Sequence, residues 1–464
     1  MKIKDFNKNI KLSETKGLSI LFYKDAEVYL NKFGYYEEII KNDLNNEIKS
    51  ELINSYTLFN SNKLSNLTKD LFDKNLNHKF DSRLGFYFSL FAGYAKEGNY
   101  REKGSSGGLT TWLASELFSK KLITHLIHVK KSDGDVLFEY GISKSIEDIK
   151  ENSKTRYYPV ELSGVLKYII ENEGKYAIVG IPDIVSSLRL LCKINPEINL
   201  RLKFFIGLIC GHQKSTKFLE SMVRESNINM DDVTDFDFRH KILTNTAGNY
   251  GIKVTTKTKE FILDKKRLFG QNWGLGLFKL PSSDFTDDVF NEFSDVTFGD
   301  AWLEKYENDP KGTNVIIIRN KIIEEIIVTA FNEKRIYIEQ LSSEEVFKSQ
   351  ESHYLHTYKE LAYRLFLRKK SSRWLPIKRI DPSNKFKLSR KIIQLYRLLL
   401  SKKSHEIYYK ERYKSINQFI KKMSFFTKQY NFVYKLIYYY TLIRKRSLLS
   451  IFKSFFKRIF RTFK

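Results

Sequence analysis

Short apolar runs alternate with helical patterns through the middle of the chain. THLIHV (124–129), YAIVGI (176–181) and FFIGLIC (204–210) are each bounded by charged or turn residues. Runs of this length fit strands buried in a parallel sheet. NVIIIRN (314–320) predicts another strand. Between these runs, the stretches Leu109 to Leu122, Glu161 to Glu171 and Ile184 to Leu191 read as helices. Strands alternating with helices predict an α/β domain over about residues 86–335. Residues 1–85 are rich in Asn, Lys and Leu and have no strong period. From 336 onward the pattern is helical, basic and aromatic. Residues 373–385 hold two of the seven prolines and read as a linker. No internal repeat is present.

Three segments carry candidate chemistry. In the first, the glycine-rich turn Gly104, Ser105, Ser106, Gly107, Gly108 leads directly into a helix, with Thr110 in its first turn. Bare glycine backbone allows close approach of a ligand, and the amides at a helix start favour an anion such as phosphate. The same turn also reads as an ordinary serine-capped helix. In the second, a strand ends in Gly180, Ile181 and Pro182, and Asp183 opens the next helix. Ligands of open α/β sheets gather at such carboxyl ends, although Asp183 alone is equally an N-cap. In the third, His212, Lys214 and Ser215 follow a strand. Lys214 suits a phosphate or a ring, and His212 suits general acid chemistry or a structural loop contact. The acids of 272–320, Asp284, Asp287, Asp288, Asp295 and Asp300, match no calcium-loop spacing.

Cysteine usage and charge narrow the classes. The 464 residues contain two cysteines, Cys192 and Cys210, and no CxxC pair, which excludes a zinc ribbon. The N-terminus has no apolar core of the secretory type, and no run approaches the roughly 18 apolar residues of a membrane span. A reducing, cytoplasmic setting is expected. The net charge is +26, with 80 Lys and Arg against 54 Asp and Glu. Residues 351–464 hold 30 basic and 5 acidic residues, leaving 50 and 49 in the rest of the chain. The basicity therefore belongs to one segment.

The runs FAGYAKEGNYREKGSSGG, YYPVEL, VGIP, IGLICGH and VTFGDAWLEKYENDPKGTNVIIIRN occur in that order between about 86 and 325. Together they resemble the coenzyme F420 hydrogenase/dehydrogenase beta-subunit family, most closely a bacterial branch associated with surface-polysaccharide biosynthesis. The resemblance implies a mixed α/β flavin domain (86–335) that binds FAD, preceded by a ferredoxin-like segment (1–85) and followed here by a basic helical region (336–464). It implies that Gly104–Gly108 and Thr110 cradle the FAD phosphates and that Gly180, Ile181 and Pro182 line the flavin. Beside the flavin, Lys214 is expected as a charge partner, with His212 and Asp183 as candidate acid–base groups. The departures are specific. Asp183 stands where the family's Gly-Leu-Pro-Cys motif has cysteine. Ser283 and Thr286 stand at the cysteines of its Cys-x-x-Cys-Asp-Asp motif, whose acids survive as Asp287 and Asp288. The N-terminal segment, with NKFGYYEEI at its turn, has no cysteine at all. No iron–sulfur cluster is therefore expected, because clusters need thiolates as a set. The expectation is a cluster-less flavoprotein oxidoreductase acting on a small or sugar-linked substrate, with an electron-donor protein as partner. The alternative is a non-catalytic scaffold.

The C-terminal stretch 446–464 repeats Leu448, Phe452, Phe455, Ile459 and Phe463 at helical spacing, with Lys453, Lys457 and Arg461 opposite. Such a basic amphipathic helix suits an anionic membrane surface, or packing against a protein core. The tyrosines of 432–446 suit the interface. Peripheral docking on the inner face of the membrane is expected. Nucleic-acid binding is not, since no recognised motif accompanies the charge.

Overall fold

A computed structural model describes residues 1–42, 44–73 and 77–445. The amphipathic reading of 446–464 lies outside the described residues. The chain forms two compact units. One comprises Met1–Gln271 with Lys279–Asn384; the other comprises Asn272–Phe278 with the chain from Lys385 onward.

The first unit is built on an eight-stranded mixed sheet. Across it run Ile336–Gln340, Ser89–Ala95, Asn314–Ile318, Val296–Asp300, Leu202–Leu208, Tyr176–Gly180, His125–Lys131 and Phe138–Ser143. The four strands from Val296–Asp300 to His125–Lys131 are mutually parallel, and the flanking pairs are antiparallel. The apolar runs at 124–129, 176–181 and 204–210 supply three of those parallel strands. Side chains alternate across them. Ala177 and Ile206 face one layer, with Leu113 and Leu117 of the helix Leu109–Ser119 and with Ile326 and Ile327. Tyr176, Ile178 and Phe205 face the other layer, with Leu188 of the helix Pro182–Ile194 and with Phe6, Ile10 and Tyr56 of the N-terminal segment. Burial on both faces is why these strands read as continuous apolar runs.

Two expectations are corrected. First, the chain after 335 does not begin as helix. Ile336–Gln340 is an edge strand paired antiparallel with Ser89–Ala95, because Ile336 and Ile338 alternate inward against that neighbour. Second, 373–385 is not a free linker. Trp374 packs on the core, Ile377 N donates to Leu58 O (3.1 Å), and Arg379 pairs with Glu292. The N-terminal segment holds the hairpin Ala26–Leu30/Tyr36–Ile40 and short helices, and it shares the core of the sheet. A separate three-stranded antiparallel sheet, Val233–His240, Gly251–Thr256 and Glu260–Leu263, carries residues used below.

The second unit is a helical hairpin, Leu388–Lys410 and Ile416–Lys445. Phe278 is enclosed there, edge-on to Tyr408 (5.4 Å between ring centroids) and close to Phe419 (5.5 Å). Among the described residues no helix is long and apolar enough to cross a membrane.

Candidate functional site

The glycine-rich turn is fixed by contacts that only glycine permits. Gly108 has φ +80°, and a Cβ there would sit 2.3 Å from Tyr100 O. A Cβ on Gly107 would sit 2.6 Å from Gly93 O. The turn is thus pressed against the strand Ser89–Ala95, in backbone geometry that side chains disfavour. Leu109 N donates to Asn314 Oδ1 (3.2 Å), Ser106 Oγ donates to Thr313 O (3.1 Å), and Thr155 N donates to Ser105 Oγ (2.9 Å). The helix start is held beside the end of the strand Val296–Asp300, at the carboxyl ends of the parallel strands, where α/β sheets place ligands.

Opposite this turn lies a pocket lined by Ser105, Ser106, Arg239, Lys241, Asp300, Trp302 and Glu307 among others. Arg239 closes the strand Val233–His240 and pairs with Asp300. Its guanidinium carbon lies 5.0 Å from the Tyr250 ring centroid and 5.6 Å from that of Trp302. Its buried Nε has no hydrogen-bond partner among the described residues. Lys241 Nζ donates to Ser106 O (2.7 Å) and to the Arg101 carbonyl. Burial, together with the cations of Lys154, Arg101 and Arg239, lowers the Lys241 pKa to about 7. Lys265 is similarly lowered to about 8 by burial and Arg239. Arg239 and Lys241 share the pocket lining with the carboxylates of Asp300 and Glu307.

The other candidates converge elsewhere. Asp183 is buried, and five groups donate to its carboxylate: Ser13 Oγ (3.2 Å), Glu14 N (3.0 Å), Thr15 N (3.1 Å), Thr15 Oγ1 (3.2 Å) and the Thr57 hydroxyl. Next to it, the buried Glu14 carboxyl accepts from the Ser283 hydroxyl and is bonded by Gln213, with the Thr286 side chain close by. Burial and the negative Asp183 raise its pKa to about 7. Burial and Glu14 also push the Cys210 thiol up. Asp183, Ser283, Thr286 and Cys210, far apart in sequence, thus surround one carboxyl. Glu14 and Gln213 also line a second pocket, with Lys16, Tyr35 and Tyr36.

Of the residues singled out in the sequence, Ser105 and Ser106 line the first cavity. Gly104, Gly107 and Gly108 shape its turn, and Thr110 sits behind it in the first helical turn. Gly180, Ile181 and Pro182 form the strand-to-helix join, where Asn291 Nδ2 donates to Gly180 O (2.8 Å). Lys214 is buried, 4.9 Å from the Phe218 ring centroid, and His212 is partly buried in the preceding loop. None of these last five, nor Asp183, lines either cavity. Arg239, Lys241, Tyr250 and Glu14 are site residues with no local sequence signal. Asp300 and Trp302 lie inside the FGDAW run.

Family models match two consecutive stretches of the chain, together more than half of it. Residues 90–167 match the N-terminal model of the coenzyme F420 hydrogenase/dehydrogenase beta subunit, and 173–344 match its C-terminal model. An uncharacterised protein of Methanocaldococcus jannaschii is 24% identical over 223 residues, 48% of this chain and 76% of that protein. A chain of the F420-reducing [NiFe] hydrogenase complex from Methanosarcina barkeri superposes with a TM-score of 0.49 at 16% identity, over 64% of this chain and 98% of that one.

Proposed function

Because the chain belongs to the coenzyme F420 hydrogenase/dehydrogenase beta-subunit family, we propose that it is a cluster-less, FAD-dependent oxidoreductase. The observation that carries this reading is the cavity where Ser105 and Ser106 face Arg239 and Lys241. The buried Arg239 Nε, unpartnered among the described residues, fits a ligand phosphate there. Lys241 adds a second cation, and the helix Leu109–Ser119 adds its positive end. Trp302 and Tyr250 offer aromatic faces to a planar group. When bound, the flavin would supply hydride chemistry. The protein's own residues would bind the anionic part of the cofactor and orient it against the turn.

The clusters implied by the resemblance do not fit. The donor set at that place is a carboxylate already taken by five donors, two hydroxyls and one thiol beside Glu14. A bound flavin without clusters would supply two-electron chemistry, and the proposed substrate class is a small or sugar-linked molecule of surface-polysaccharide assembly, with a donor protein as partner. This substrate class is supported by the order of sequence motifs, and a site on the inner face of the membrane accords with it. The rival reading, a non-catalytic scaffold, draws support from the same filled position.

A visible absorption spectrum of the purified protein, with the released cofactor identified by mass, separates the two. A flavin spectrum without a broad iron–sulfur band is expected. A colourless protein that also fails to take up added FAD would overturn the oxidoreductase reading. Ser106→Trp, placed in the phosphate cradle, is expected to abolish FAD retention.

A further inference from the structure

The helix Ile416–Lys445 has two faces of different character. Phe419, Met423, Thr427 and Tyr430 are buried in the hairpin. At 100° per residue these positions share one side of the helix. On the opposite side stand Phe425, Phe432, Leu436 and Tyr439, respectively 62%, 61%, 52% and 42% exposed. Beside that apolar row run Lys421, Lys428 and Lys435, each exposed and seven residues apart. The aromatics repeat at the same step, as Phe425, Phe432 and Tyr439. Past Tyr430, no residue from 431 to 440 is buried, although this stretch includes Tyr434, Ile437, Tyr438 and Tyr440.

We propose that this lysine-flanked aromatic row docks flat on an anionic lipid surface. The chemistry favours that occupant in three ways. Aromatic rings with lysines alongside match the depth profile of an interface: rings at the headgroup boundary, lysine stems along it, ammonium groups among the phosphates. From Lys385 to the end, the sequence carries 22 Lys and Arg against 2 Asp and Glu, which repels a second copy and attracts anionic lipid. No described helix can cross a bilayer, so the association lies in the plane of the surface. The inference is independent of the cofactor reading.

The test is co-sedimentation of the full-length protein with vesicles, comparing phosphatidylcholine alone with phosphatidylcholine containing phosphatidylglycerol. The expected result is at least about 10-fold tighter binding to the phosphatidylglycerol vesicles. The triple variant Phe425→Ser/Phe432→Ser/Leu436→Ser changes only outward-facing positions and is expected to bind about 30-fold more weakly. Lys421→Glu/Lys428→Glu/Lys435→Glu should abolish the lipid-charge preference, with circular dichroism and melting temperature confirming that both variants fold. Both variants keep residues 446–464. If they sediment like the parent protein, the binding belongs to that stretch and the proposal is overturned. It is equally overturned if the parent ignores anionic vesicles while binding single-stranded oligonucleotide.

Discussion

At the Gly104–Gly108 turn, the cations Arg239 and Lys241 line a pocket beside the carboxylates of Asp300 and Glu307; at Glu14, acids are enclosed by donors. Arg239 has one carboxylate partner, Asp300, and a buried Nε unsatisfied among the described residues, while Lys241 donates to the Arg101 and Ser106 carbonyls and feels the Glu102 carboxylate. Asp183 and Glu14, by contrast, are bonded by hydroxyls, amides and a glutamine. Both sites lie by the carboxyl ends of the same parallel strands. The difference separates a pocket whose buried Arg239 Nε is unpartnered among the described residues from the Asp183 carboxylate, which the chain itself fills with five donors. Unsatisfied buried polar groups are costly, and the anion proposed for the Arg239 pocket would satisfy Nε.

Four experiments would break or sharpen this contrast, from the largest expected effect to the smallest. Asp183→Ala leaves the donors of residues 13–15 and Thr57 without their acceptor, and urea unfolding should show a loss of about 4 kcal/mol. A loss near zero would mean that the Asp183 contacts do not hold the N-terminal segment. Glu14 makes stability depend on pH. Its folded-state pKa of about 7 lies above the ordinary 4.5, so the unfolded chain releases its proton first as pH rises. The stability it contributes is present below about pH 4.5 and is lost as pH rises toward 7, by on the order of 3 kcal/mol. Glu14→Gln should flatten the melting-temperature profile across that window, and an unchanged profile would count against a buried, protonated Glu14.

At the other site, Arg239→Met should weaken FAD binding about 50-fold in a fluorescence titration, with melting temperature reported alongside. Equal affinity would place the anion elsewhere. Lys241 is charged below its pKa of about 7 and neutral above it, so affinity for an anionic ligand should fall as pH rises from 6 to 8. A bound anion shifts that midpoint upward. Lys241→Met should remove the dependence at a cost of about 10-fold near pH 6. A parent protein with flat affinity across this range would show that Lys241 does not face the ligand.

The sequence by itself determined the α/β class and the positions of the buried strands, because burial on both faces leaves a continuous apolar run that needs no partner to be seen. It also marked Ser105 and Ser106, since a glycine turn that opens a helix is a local feature. It placed Asp183, Ser283 and Thr286 where the family resemblance implies cysteines, and it confined the charge to one segment. Only the tertiary structure decided what surrounds those residues. Glu14 reaches Ser283 across 269 residues of chain, a pairing that no local period encodes. Only the structure brought Arg239 and Lys241 from a separate three-stranded sheet to face the glycine turn. It alone turned residues 336–340 into an edge strand and 373–385 into a strap, and it set which face of the last described helix is left uncovered. Local patterns report what a residue's neighbours in sequence demand. Charge balance and coverage depend on neighbours in space, which folding alone assembles.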